Sequence, residues 1–187
     1  MDNEIKLILD GLARRRESSG GVLEIQGSDG VVNSANFELS PPATLQDIRM
    51  LESQYQIKLP REYKSFLTIH NGAKLFDIGY GEFTKIFSIE EVDEIAATMM
   101  PEIVPQFLPI ARNPSSLIYI DLSRKTKYMF TESISEFNFL SMSFTEWINA
   151  LIMANGCSFW DWTPLMVYRT IDEPELKVKD WLLAGFE

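Results

Sequence analysis

The sequence predicts an α+β fold: a central antiparallel sheet flanked by helices, with an extra N-terminal helix and added C-terminal elements. Three observations predict it. Capping boxes, or a close approximation to one, recur at Thr44/Asp47, Ser88/Glu91 and Ser143/Glu146, and each opens a stretch with apolar residues at helical spacing. Between them lie short apolar runs bounded by turn residues, which read as strands. A length of 187 residues with 45% hydrophobic residues suits one domain with a substantial core and some added chain.

The elements follow in order. Ile5, Ile8, Leu9 and Leu12 give an amphipathic helix over 3–17, capped by Asp2 or Asn3, with Arg14, Arg15 and Arg16 near its C-terminal dipole. Val22–Gln26 and Val31–Leu39 are weak strands around the turn Gly27-Ser28-Asp29-Gly30. Pro41-Pro42 marks a boundary. Ile48, Leu51 and Tyr55 line a helix opened by Thr44, and Gln56–Leu59 links it to a second helix with Pro60 in its first turn. Tyr63, Phe66, Leu67 and His70 form that helix's stripe, and Asn71-Gly72 stops it, since Gly accepts the left-handed conformation.

Glu82–Phe87 alternates as a strand, and the Ser88 helix runs to about Met99. Pro101 and Pro105 bracket a loop before a strand at Phe107–Ala111. After the turn Asn113-Pro114-Ser115-Ser116, Leu117–Leu122 and Lys127–Thr131 form a hairpin, followed by a strand at Ile134–Leu140. Phe144, Trp147, Ile148, Leu151 and Ile152 stripe the helix opened by Ser143, which Asn155-Gly156 ends. The tail carries Trp160-Asp161-Trp162, a strand at Leu165–Thr170 and a last helix from Asp172 to about Leu183.

Charge and cysteine content narrow the function. Lys and Arg number 17 against 27 Asp and Glu, a formal net charge of −10. Such a surface repels phosphate backbones and speeds encounter with a basic partner; solubility alone accounts for it equally well. The single cysteine, Cys157, excludes an internal disulfide and a cysteine-based structural zinc site. With no apolar signal core at Met-Asp-Asn-Glu and no membrane-length apolar run, the expected location is cytoplasmic.

No constellation of catalytic residues emerges. His70, the only histidine, sits at a helix end, where a cap or packing role suits it better than catalysis. Glu90, Glu91, Asp93 and Glu94 could gather a hard cation, but acidic residues are ordinary in a first helical turn and no calcium-loop glycine accompanies them. Gly79-Tyr80-Gly81 lacks the third glycine of a dinucleotide loop. Flanked by Asp77 and Glu82, it suits a flexible binding loop instead, and Asp77, Tyr80 and Glu82 are the candidate partner interface. The indoles of Trp160 and Trp162 would share a side if extended, as a core element or an interface anchor. No cofactor and no metal are expected.

Leu59-Pro60-Arg61-Glu62-Tyr63-Lys64-Ser65-Phe66-Leu67 running to Asn71-Gly72, with Ile86-Phe87-Ser88 and Ser143-Phe144-Thr145-Glu146-Trp147 in order behind it, resembles the SUKH superfamily of fungal cell-wall synthesis regulators and bacterial immunity proteins. The motif positions are Leu59, Pro60, Tyr63, Phe66, Leu67, Asn71, Gly72, Ser143 and Phe144. The resemblance covers about residues 41–153. It implies a SUKH-like domain over 41–187, with 154–187 a C-terminal elaboration and 1–40 an extension packed on the core. Where the family often has glycines before its central strand, this chain has Asn113-Pro114-Ser115-Ser116. The resemblance also implies a non-enzymatic protein-binding role: an immunity protein that occludes a cognate toxin, often a nuclease with a basic groove. The partner would be a basic toxin domain, with no direct nucleic acid and no membrane. A regulatory scaffold in cell-wall synthesis or signalling, and a carboxylate-based enzyme, stay open as alternatives.

Overall fold

A computed structural model describes residues 3–27, 30–99, 106–133 and 136–161. Helix α1 (Asn3–Ser18) is followed by strands β1 (Leu23–Gln26) and β2 (Val32–Leu39). Helices α2 (Leu45–Gln54) and α3 (Arg61–Leu67) come next, then β3 (Ala73–Asp77), β4 (Thr84–Ile86) and α4 (Ile89–Thr98). Strands β5 (Phe107–Arg112), β6 (Leu117–Asp121), β7 (Met129–Ser133) and β8 (Glu136–Phe139) precede α5 (Phe144–Met153) and a 3-10 turn, Phe159–Asp161.

The eight strands lie side by side in chain order, every neighbouring pair antiparallel. Residues before Pro41 are part of this sheet, because β2 pairs directly with β3 through Leu39 and Ala73. All three capping boxes form, each with both reciprocal hydrogen bonds, so α2, α4 and α5 begin where the sequence places them.

Side-chain alternation gives the sheet two different faces. One cluster joins Ile5, Ile48, Phe66, Val92, Trp147 and Leu151 of the five helices to Leu75, Ile86, Ile118, Ile120 and Met129 of the sheet. Burying that many large side chains on one face is the main stabilising term. Alternate residues project from the other face: Lys74, Lys85, Arg112, Tyr119, Phe130 and, on the edge strand, the exposed Phe137 and Phe139. Among the described residues no helix belongs to that outer face.

Several details differ from expectation. Ala73–Asp77 is a strand the pattern hides, because Leu75 and Phe76 are consecutive and both buried. The cause is a bulge between β2 and β3, with Phe76 at φ 56°. Helix α3 ends at Leu67, well before Asn71, and Pro60 is its N-cap rather than its first helical residue. Strand β4 is confined to Thr84–Ile86. Trp160 is in a 3-10 turn packed against the helical side of the core, so the segment is not extended. The Asp2 cap, Ser28-Asp29, the loop at Pro101 and Pro105, Ile134, Trp162, the strand at Leu165–Thr170 and the helix from Asp172 lie outside the described residues.

Candidate functional site

The motif residues are joined by hydrogen bonds that explain their types. Pro60 offers no N–H, so the last donor before α3 is the Leu59 N–H, and the buried carboxylate of Glu52 on α2 accepts it at 2.9 Å. Lys64, one turn into α3, donates to the same oxygen at 3.1 Å. Tyr63, Phe66 and Phe144 pack edge to face, with ring centroids 5.2 and 5.4 Å from Phe144. The Tyr128 hydroxyl donates to Glu62 and accepts the Phe144 N–H at 3.2 Å, which ties α3 and α5 to the sheet. Burial is the main cause holding the Tyr63 and Tyr128 phenols neutral far into alkali.

Asn71-Gly72 does not end α3, which stops at Leu67; its work lies elsewhere. The Asn71 Oδ1 accepts the Ile89 N–H at 2.9 Å and its Nδ2 donates to Glu90 at 3.0 Å, so Asn71 holds the start of α4 from outside that helix. Gly72, at φ 91°, lies against Ser88; a Cβ there would stand 2.8 Å from the Ser88 nitrogen. His70 Nδ1 lies 3.0 Å from the Ser40 carbonyl, which can only accept, so Nδ1 carries a proton and the ring packs near Phe66. The turn Asn113-Pro114-Ser115-Ser116 manages without glycine because Asn113 Oδ1 accepts the Ser115 and Ser116 N–H groups at 3.1 and 2.7 Å.

Asp77, Tyr80 and Glu82 come together at the tip of the β3–β4 hairpin. Gly79, Tyr80 and Gly81 have φ values of 87°, 55° and 87°, and Glu82 N–H closes the loop on the Gly79 carbonyl at 2.9 Å. Three left-handed residues in a row turn the Tyr80 side chain off the body of the protein, and it is 104% exposed. Asp77 is not a free charge. It accepts Lys74 Nζ at 2.5 Å and Gly79 N–H at 2.9 Å, and the lysine bond first, then the backbone bond, hold its carboxyl below the usual range. The acidic character available to a partner at this tip therefore comes from Glu82.

Behind the tip, on the outer face, is a constellation that sequence reasoning missed. Lys74 and Lys85 are direct cross-strand partners, and so are Lys85 and Arg112. The Phe83 ring lies between them, with Lys74 Nζ 4.5 Å and the Arg112 guanidinium 5.7 Å from its centroid. The signal that would have found this row is the pairing of β3, which the bulge at Phe76 hid. Among the described residues there is no group of three His, Cys, Asp or Glu side chains arranged to hold a metal ion, and no described helix is long and apolar enough to cross a membrane.

An antiparallel sheet with helices on one face, two of them, α2 and α3, joined by a buried glutamate, defines a class of α+β domain. The chain belongs to the SMI1 / KNR4 family (SUKH-1), whose sequence profile matches residues 42–150. Two proteins of Bacillus subtilis (strain 168) are similar to it. The uncharacterized protein YobM is 29% identical over 187 residues, spanning 91% of this chain and 100% of YobM. The uncharacterized protein YnaB is 26% identical over 152 residues, spanning 76% of this chain and 100% of YnaB.

Proposed function

We propose that the protein is a non-enzymatic, cytoplasmic binding domain that neutralises a cognate toxin by covering its working surface. The observation that carries this reading is Tyr80: a fully exposed aromatic, presented by a hairpin tip that the Glu82 N–H closes on the Gly79 carbonyl and the Ile78 N–H on the Glu82 carbonyl. An exposed aromatic at a loop tip is the kind of side chain that anchors protein interfaces. Membership of the SUKH-1 family and the net charge of −10 support the same reading. An acidic inhibitor approaches a basic nuclease groove with favourable electrostatics and competes there with nucleic acid. The exposed Phe137 and Phe139 on the outer face equally suit a scaffold that holds several partners, which keeps the regulatory reading as the second one.

The experiment is co-expression with the protein encoded beside this gene. Protection of the host together with recovery of a complex supports neutralisation. A complex without any toxicity to relieve favours the scaffold, and neither complex nor protection overturns both.

A further inference from the structure

We propose that the outer face of β3–β5 holds an oxyanion-binding cleft centred on Arg112, one that takes a carboxylate or phosphate group and stacks the attached moiety on Phe83. The cleft of about 460 Å3 is lined by Lys74, Lys85, Phe83 and Arg112, with Glu38 and Glu91 at its sides. A second cleft of about 480 Å3, lined by Ser115, Ser116 and Ser133, adjoins it, and Arg112 lines both.

The charge arrangement is what points to a ligand. Like charges placed directly opposite across strands destabilise a sheet, yet three cations stand in one such row in a chain of net charge −10. Two of them are compensated locally. Lys74 pairs with Asp77 and, loosely at 3.9 Å, with Glu38; Lys85 pairs with Glu91. Each close carboxylate is also held by a backbone N–H, Asp77 by Gly79 and Glu91 by Ser88, so neither is free to swing toward Arg112.

Among the described residues the guanidinium of Arg112, an exposed residue, has no carboxylate and no hydrogen-bond acceptor, and the group it lies against is the Phe83 ring. Glu132, in the same row two strands away, is committed to the Tyr119 hydroxyl at 2.6 Å. A guanidinium with its donor fork open toward a cleft, an aromatic beside it and two anchored lysines behind it matches a planar or tetrahedral oxyanion.

The test is an amide and arginine side-chain NMR titration of the protein alone with inorganic phosphate and, separately, with acetate, each against sodium chloride at equal ionic strength. The expected result is saturable shifts confined to Phe83, Lys85 and Arg112, with a dissociation constant on the order of 1 mM. Arg112→Gln should weaken the response about tenfold or more, while Arg124→Gln, at an arginine paired with Asp121, should leave it intact. A response to phosphate alone assigns a phosphoryl ligand, one to acetate alone a carboxylate, and one to both an oxyanion of either kind. Shifts no larger than those with chloride, or shifts that persist in Arg112→Gln, overturn the site. Because no protein partner enters this measurement, its failure leaves the neutralisation reading untouched.

Discussion

The Glu52 carboxylate on α2 accepts the Leu59 N–H across the turn that joins the first two helices of the SUKH-1 core. The bond reaches a donor that the following proline cannot share. It also gives the partly exposed Lys64 a buried partner, since the Glu52 side chain is only 9% exposed. Glu52→Ala strands the buried Leu59 N–H, and should cost about 1–3 kcal/mol. Glu52→Gln keeps an acceptor and should cost less. Urea midpoints at constant slope measure both.

Gly72 and Asn71 should be sensitive for different reasons. Gly72→Ala meets backbone at 2.8 Å and 3.0 Å in a left-handed conformation, so neither a rotamer change nor a side-chain shift relieves it. A loss of about 2 kcal/mol or more is expected. Asn71→Ala removes the acceptor of the Ile89 N–H and should cost about 1 kcal/mol, with faster hydrogen exchange in the first turn of α4 as its local signature.

Stability should fall in acid, and the capping boxes are one cause. The Thr44 hydroxyl bond, then the Thr44 N–H, hold the Asp47 carboxyl below 3.8. The Lys127 bond, then the Ser143 N–H, hold Glu146 below 4.5. A depressed carboxyl pKa contributes stability that is present above the unfolded value and lost as pH falls through the folded one. The denaturation midpoint should therefore drop as pH falls from about 5 to about 3, and Thr44→Ala should flatten part of that slope. A midpoint independent of pH in this window would remove the capping account.

Alkali acts first through Tyr55, before the more strongly raised Tyr63, Tyr119 and Tyr128. Burial, and then its hydrogen bond to Asp93, push this phenol up to about 12 from 10.0. A raised pKa means stability that is full below the unfolded value and lost as pH rises through the folded one. Tyr55 should stay neutral near pH 11 in a spectrophotometric titration, and Asp93→Asn should let it ionise earlier.

Local chemistry was legible in the chain; the long-range register was not. The boxes at Thr44, Ser88 and Ser143 involve partners three residues apart, so the sequence displays both members and all three form. The hairpin tip was visible for the same reason, as two glycines around an aromatic. Strand β3 was not, because a bulge at Phe76 breaks its alternation. The ring turns inward against Phe37, and its Cγ stands 2.6 Å from where a Cβ on Gly156 would be, a contact between residues far apart in the chain. With β3 hidden, the row Lys74–Lys85–Arg112 could not be assembled. The role of Glu52 was equally hidden, since its burial follows from how α2 and α3 pack and no local pattern marks it.

The measurement closest to the central claim is the association rate of the purified chain with the product of the neighbouring gene, for the wild type, Tyr80→Ala and Glu82→Lys. Both substitutions lie on an exposed tip and should leave the urea midpoint unchanged. Occlusion through this tip predicts that Glu82→Lys slows association, most at low salt, and that Tyr80→Ala speeds dissociation by about tenfold or more. A complex that forms and dissociates at wild-type rates in both variants would contradict it.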